Sequence, residues 1–149
     1  MFFIAHRGNT HGPNPSQENS PEYIQTALED GYYVEVDVWY IKDSENSDYS
    51  VYLGHDKPQY KINWEFLSEK RLICHAKNEQ ALYELVKRGI HCFSHDVDNV
   101  VLTSNNWLWT YPGKPLTPCS IAVMPEMSPD WDISICMGVC SDYATFSKP

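Results

Sequence analysis

Ionisable side chains follow or interrupt apolar, β-branched runs at several points of this sequence. Those that could do chemistry are His6, Arg7, Glu35, Asp37, His55, His75 and Lys77. Such a run is typical of a β-strand, and a strand that ends in polar groups delivers them to the edge of a sheet. Brought together there, these groups could bind a metal, transfer protons and hold an anion.

The two carboxylates lie in the clearest predicted strand, the period-2 segment from Tyr32 to Tyr40. Alternation places Glu35 and Asp37 on one face of the strand and three valines on the other. Two adjacent carboxylates repel each other and need a counter-charge, and a hard divalent cation such as Mg²⁺ or Ca²⁺ would supply it. The alternative is a half-exposed strand whose acidic groups lie in water.

The histidines suggest proton transfer. His6 follows the first predicted strand and His55 the third, so we predict equivalent positions in two βα units. Two imidazoles across one cleft could act as general base and general acid near pH 7. His75 could be a metal ligand or an acid–base group. The alternative for each of the three is a polar residue with a purely structural role.

Cations and aromatic rings indicate an anionic substrate. Arg7 offers a bidentate fork and Lys77 a point charge to a phosphate, although either could pair with a nearby carboxylate instead. Trp109 belongs to an alternating aromatic stripe, which could be core or could form the wall of a substrate pocket against a cationic head group.

Composition sets limits on the partners. The chain has 149 residues, with 11 basic and 20 acidic side chains and a net charge of −9, so we expect no nucleic-acid partner. It lacks a run of about 20 apolar residues and its start resembles no signal peptide. We therefore expect a cytoplasmic protein without stable membrane insertion, with one domain over residues 1–149.

Helix signals are concentrated in the first half of the chain. Ser20 caps a predicted helix that ends before Gly31, a short helix is predicted from Asn63 to Lys70, and Asn78 caps another that stops at Gly89. The second half contains strand candidates joined by short loops and has almost no room for helices.

Four segments together resemble the glycerophosphodiester phosphodiesterase family of the phosphatidylinositol-phospholipase-C-like superfamily. They are Ala5-His6-Arg7-Gly8, Glu18-Asn19-Ser20-Pro21, Glu35-Val36-Asp37 and Leu53-Gly54-His55-Asp56. The ordered pattern is more specific than any one segment. Beyond it, His75-Ala76-Lys77 falls where the family usually has an acidic residue, any residue and lysine, and the segment from Gly138 to Asp142 resembles the family's closing strand.

The resemblance implies a TIM-type barrel that uses a divalent metal, Mg²⁺ or Ca²⁺. The implied reaction hydrolyses glycerophosphodiesters, such as glycerophosphocholine or glycerophosphoethanolamine, to an alcohol and glycerol phosphate. The implied roles are acid–base catalysis by His6 and His55, metal binding by Glu35 and Asp37, phosphate contacts by Arg7 and Lys77, and orientation of Arg7 or of the metal ligands by Glu18. At His75, either the imidazole replaces a third carboxylate ligand, or water and another acid fill that position.

The length of the chain constrains this barrel. Eight strands in 149 residues leave about 19 residues per unit, against roughly 30 in an ordinary barrel of about 250. We therefore predict a minimal α/β fold, a (β/α)8 barrel in which several helices, mainly in the second half, are replaced by loops. The eight strands are predicted to end in or near His6, Asp37, His55, Lys77, Ser94, Tyr111, Met124 and Ser141, with the run from Val100 to Thr103 as an accessory hairpin strand.

Lost helices would leave late strands uncovered, with residues such as Val123 and Val139 partly exposed, and a homodimer would cover them. Two other functions stay open from the sequence. One is a phospholipase-D-like lyase that forms a cyclic phosphate, and the other is a non-catalytic barrel that binds a phosphodiester.

Overall fold

A computed structural model describes residues 1–144, in which ten β-strands form a single sheet flanked by two α-helices. The strands are β1 (Phe2–His6), β2 (Tyr33–Lys42), β3 (Tyr49–Leu53), β4 (Tyr60–Ile62), β5 (Leu72–Ala76), β6 (Cys92–Phe93), β7 (Val100–Leu102), β8 (Leu108–Thr110), β9 (Ser120–Val123) and β10 (Gly138–Ser141). The helices are α1 (Pro21–Glu29) and α2 (Glu79–Lys87), and short 3₁₀ helices span Trp64–Ser68 and Pro125–Met127.

Seven of these strands run parallel, in the order β6, β5, β2, β1, β10, β9 and β8. Within residues 1–144 no ladder joins β6 to β8, and only the β1–β2 and β5–β6 connections contain an α-helix. The predicted (β/α)8 barrel is therefore wrong, because the described chain forms a curled, mixed half-barrel. With so few residues per strand, most connections are too short to hold a helix.

The third strand does not run in the direction that the barrel required. The first half of β2 pairs in parallel with β1 on one edge and with β5 on the other. Its second half pairs antiparallel with β3, which takes over the edge of β2 that β1 leaves when it ends at His6. The prediction that His6 and His55 occupy equivalent positions in two βα units is therefore wrong.

Both predicted α-helices and their caps are confirmed. The Ser20 side chain accepts a hydrogen bond from the Tyr23 amide at the start of α1, and Asn78 caps α2 through the Ala81 amide. The Asn78 side chain also accepts a hydrogen bond from the Tyr40 amide on β2 and donates one to the Tyr40 carbonyl, which ties the start of α2 to the sheet. The segment predicted as a short helix after Asn63 is a 3₁₀ helix. No helix within residues 1–144 combines the length and apolar character needed to cross a bilayer.

The second half is covered by loops. The predicted hairpin of the accessory strand is confirmed as β7–β8. Val123 and Val139 are 5% and 1% exposed, so the prediction that they are left uncovered is wrong. Loop residues, among them Leu116 and Trp131, pack beside Val139 where a helix is absent. The exposed face that suggested a homodimer is thus missing from the part of the chain that the structure describes.

Alternation along the strands separates two apolar layers. One layer lies between the sheet and the helices and includes Val34, Val36 and Val38 with Leu28 of α1 and Leu85 of α2. The other fills the inside of the curl, and its buried members are Ile4, Ile73, Phe93, Trp109, Ile121, Val123 and Cys140. Near the ends of the strands, side chains that point into the curl line a cavity beside this inner layer.

Candidate active site

The two carboxylates of β2 lie inside the curled sheet. The valines that alternate with them pack towards the helices. Glu35 and Asp37 therefore face the interior and are only 2% and 1% exposed. Predicting that the two acids share a face was correct, and the alternative of a half-exposed strand in water is wrong. Two ionisable groups are thus buried side by side.

The negative charge of the buried Glu35 carboxylate is poorly compensated. No side chain of the described residues donates a hydrogen bond to its Oε2 atom, and His6 Nε2 lies 3.6 Å from that oxygen. Burial raises the pKa of Glu35 and the neighbouring Asp37 raises it further, although nearby His6 partly opposes the rise. A buried carboxylate oxygen without a donor is costly, and a cation would satisfy it.

Asp37 is held as an anion. Burial alone would raise the pKa of this carboxyl, but contacts with His55, His75 and Asn19 outweigh burial and hold it well below its usual range. Asn19 Nδ2 donates to Asp37 Oδ2 at 2.9 Å, and the Asp37 amide donates to Asn19 Oδ1 at 2.9 Å. Asn19 is fully buried with a left-handed φ of 67°, so its loop is built around this carboxylate.

His6 ends β1 between two acids. Its Nδ1 lies 2.7 Å from Asp142 Oδ1, just beyond β10, while Nε2 faces Glu35. Burial by itself lowers the pKa of His6, but the hydrogen bond to Asp142 and the charge of Glu35 outweigh it and raise the pKa above its ordinary value. Asn9 Nδ2 also donates to Asp142 Oδ1, at 2.9 Å, which fixes the orienting carboxylate.

Arg7 turns back over the same site. Its backbone is left-handed, with a φ of 56°, and its side chain reaches Glu18 Oε1 through Nη1 at 3.1 Å. The Nε atom lies 3.3 Å from Asp37 Oδ2. Glu18 in turn accepts from the Asn14 amide at 2.7 Å. Glu18 was predicted to orient either Arg7 or the metal ligands, and its side chain contacts Arg7.

His55 reaches the site because β3 folds back along β2. Gly54, the residue before it, approaches the backbone so closely that a Cβ atom would overlap the Lys57 carbonyl oxygen, and its own carbonyl accepts from the Trp39 indole at 2.7 Å. His55 Nδ1 lies 2.7 Å from Arg7 Nη2 and 3.6 Å from Asp37 Oδ2. Its side chain is 42% exposed, so it stands at the mouth of the site.

His75 of β5 stands opposite Asp37 in the sheet register. Its Nδ1 lies 3.3 Å from Asp37 Oδ1 and 4.0 Å from Glu35 Oε1, and its ring stacks on Phe93 with centroids 4.8 Å apart. One ligand atom from each of Glu35, Asp37 and His75 lies within 4.8 Å of the others. Together with the unpaired Glu35 oxygen, this donor set fits a divalent metal.

The site opens into a cavity of about 370 Å³. Its polar side carries five of the predicted site residues, His6, Arg7, Glu35, His55 and His75. Its apolar side includes Trp109, which is buried core and pocket wall at once. The lining residues are His6, Arg7, Glu35, His55, His75, Phe93, His95, Trp109, Tyr111, Pro112, Val123, Met124 and Met127. A small phosphodiester has room between the two sides.

Lys77 is not brought into this cavity. It lies beside a neighbouring depression between the ends of β5 and β6, together with Ser94, Asp96 and Asp98. His95 lines both the depression and the cavity.

Sequence reasoning assigned no role to Asn9, Asn19 or Asp142. Asp142 did carry a signal, since it directly follows an apolar strand, as Arg7 does. The contact from Asp142 to His6 spans 136 positions, which no local pattern can indicate.

No protein-family model, curated protein or solved structure matches this chain.

Proposed function

We propose that the chain is a short member of the glycerophosphodiester phosphodiesterase family, a metal-dependent enzyme that hydrolyses glycerophosphodiesters to an alcohol and glycerol phosphate. One observation carries this proposal: the imidazoles of His6 and His55, the Arg7 guanidinium and two members of the potential metal-ligand cluster, Glu35 and His75, line one cavity. This combination suits phosphodiester hydrolysis, which requires a proton acceptor, a proton donor and stabilisation of charge on the phosphoryl oxygens.

His6 is the proposed general acid. Its raised pKa favours the protonated ring near neutral pH, and Asp142 fixes the ring through Nδ1, so Nε2 carries the proton toward the cavity. His55 is then the proposed general base. It stands at the exposed mouth, where it can take a proton from an attacking water or substrate hydroxyl.

Arg7 is the proposed phosphate contact. Glu18 and Asp37 hold its guanidinium at the cavity, so little side-chain freedom is lost when an anion binds. Glu35, Asp37 and His75 would hold a divalent ion, which would supply Lewis-acid stabilisation of the phosphoryl oxygens. The aromatic side of the cavity, formed by Phe93, Trp109 and Tyr111, suits a cationic head group such as choline or ethanolamine.

A cytoplasmic location belongs to the same proposal. All five cysteines are free thiols and four of them are buried, which fits a reducing compartment. Cell fractionation tests this part, and recovery of the protein outside the cytoplasm would contradict it.

The experiment is an activity screen on glycerophosphocholine and glycerophosphoethanolamine with and without divalent ions. His6→Ala and His55→Ala should each lower turnover by about 100-fold or more while circular dichroism stays unchanged. His11→Gln, at an exposed histidine outside the cavity, is the control and should keep full activity.

The products separate the alternatives. Glycerol phosphate with oxygen from labelled water supports hydrolysis, whereas a cyclic phosphate without label identifies a lyase. Binding of the diesters without turnover identifies a non-catalytic barrel. Near-normal turnover in either alanine variant, or turnover that a chelator does not affect, contradicts the mechanism.

A further inference from the structure

We infer that the Glu35, Asp37 and His75 site selects a first-row transition ion, such as Zn²⁺ or Mn²⁺, over Mg²⁺ and Ca²⁺. This inference rests on the proposed function only in taking the cluster as a metal site. It replaces the Mg²⁺ or Ca²⁺ expected from the sequence, and it follows from the imidazole in the donor set.

The His75 ring is oriented as a metal ligand would be. Its ring stacks on Phe93, and its Nδ1 atom points to the two carboxylates, 3.3 Å from Asp37 and 4.0 Å from Glu35. The hydrogen bonds from Asn19 hold Asp37 in place. Two of the three donors are thus fixed by contacts that do not depend on an ion.

The buried carboxylate of Glu35 lacks full compensation for its charge. Glu35 is almost completely buried, and its Oε2 atom finds no hydrogen-bond donor among the described residues. The other oxygen of the same carboxylate, Oε1, lies 4.0 Å from His75 Nδ1, and Glu35, Asp37 and His75 each place a ligand atom within 4.8 Å of the others. A bound cation would satisfy the Glu35 carboxylate.

The donor atoms of this cluster, one nitrogen and the oxygens of two carboxylates, determine which ion it prefers. Ca²⁺ takes six to eight oxygen ligands, and Mg²⁺ prefers oxygens and several retained waters. An imidazole nitrogen instead suits zinc, copper, iron and nickel, and among first-row ions the affinity of a mixed nitrogen–oxygen site is lowest for Mn²⁺. One nitrogen with two carboxylates therefore favours first-row transition ions, Zn²⁺ above Mn²⁺, over Mg²⁺ and Ca²⁺, whereas a third carboxylate in place of His75 would favour the all-oxygen ions.

Calorimetric titration of the metal-free full chain tests this inference without substrate. The probes are MnCl₂, ZnCl₂, MgCl₂ and CaCl₂, each added alone after dialysis against chelator. We expect one Mn²⁺ or Zn²⁺ per chain, bound about tenfold or more tightly than Mg²⁺ or Ca²⁺. His75→Glu should reduce this preference by about tenfold, whereas Glu35→Gln should abolish the site.

His11→Gln is the matched control for zinc bound at surface histidines, and it should leave the affinities unchanged. The inference is overturned if Mg²⁺ or Ca²⁺ binds as tightly as Mn²⁺, if no ion binds, or if His75→Glu leaves the preference as it was. Electron paramagnetic resonance of bound Mn²⁺ gives a second readout, because nitrogen coupling should be present in the wild-type spectrum and absent from His75→Glu.

The outcome is independent of catalysis. Selective Mn²⁺ or Zn²⁺ binding without turnover of any diester would uphold the inference and refute the proposed function. Turnover with tight, preferred Mg²⁺ binding would do the opposite.

Discussion

Glu35→Gln should make the metal-free protein more stable, although it removes a proposed metal ligand. Glu35 is 2% exposed, its Oε2 atom lacks a hydrogen-bond donor among the described residues, and Asp37 lies beside it. The nearest imidazole nitrogen, His6 Nε2, is 3.6 Å away and compensates only in part. An amide of the same shape has less solvation to lose on burial and does not repel Asp37.

The size of the effect follows from the unpaired oxygen. A buried acceptor without a partner costs about 1–3 kcal/mol, and more when it is charged. The amide keeps a polar group there but removes the charge, so the free energy of unfolding should rise by about 1–3 kcal/mol. For a chain of this length, the melting temperature should rise by about 3–9 °C, at roughly 3 °C per kcal/mol. A metal ion at about 100 times its dissociation constant stabilises the wild type by about 2.7 kcal/mol. The variant should gain nothing, so excess metal should remove or reverse its advantage.

Urea unfolding followed by far-ultraviolet circular dichroism measures both effects, first in chelator and then with excess MnCl₂. Glu45→Gln, at an exposed position in the β2–β3 loop, is the control, and its stability should change by less than about 0.5 kcal/mol. A Glu35→Gln variant that is less stable than the wild type in chelator would refute the reasoning, because the carboxylate would then be well compensated without a metal.

Three further outcomes test the surroundings of the site. Asp142→Asn should lower the pKa of His6, because the carboxylate that faces Nδ1 loses its charge; an unchanged histidine titration by NMR would contradict this. Asn19→Gly keeps the left-handed backbone but removes both hydrogen bonds to Asp37, so urea unfolding should show a loss of about 2–3 kcal/mol, and a loss below about 0.5 kcal/mol would show that the amide is dispensable. Burial lowers the pKa of His91 from 6.5 to about 4. Between these values the unfolded chain binds the proton and the folded chain does not, so stability should fall with falling pH, by up to about 3 kcal/mol; a wild-type pH profile as flat as that of His91→Gln would contradict it.

The parts of the fold that depend on local sequence could be predicted. Ser20 and Asn78 cap helices with their own side chains, and the alternation around Glu35 sets which face of β2 the acids share. The burial of Glu35 could not be read from that pattern, because a two-sided strand looks the same whether the acid-bearing face is covered or lies in water.

The direction of β3 is the clearest failure, and the sequence did contain the relevant signal. Only six residues separate Lys42 at the end of β2 from Tyr49 at the start of β3. A parallel crossover needs a dozen or more residues, so this connection permits only an antiparallel hairpin. His55 reaches Asp37 because that hairpin returns the chain to the middle of β2, where Leu53 pairs with Val38. The site residue was therefore predicted from the wrong topology.

The distribution of helices suggests why so short a chain can hold this site. Glu35 and Asp37 lie on β2 and His75 on β5, and the backs of these two strands are packed by α1 and α2. The proposed metal ligands and acid–base groups would need placement within a fraction of an ångström, and packed helices give these strands rigid support. The strands β8 and β9 contribute mainly apolar side chains such as Trp109 and Val123 to the cavity. Apolar side chains that only form a cavity wall tolerate looser placement than groups that bind a metal. Loops therefore suffice to cover that half of the sheet.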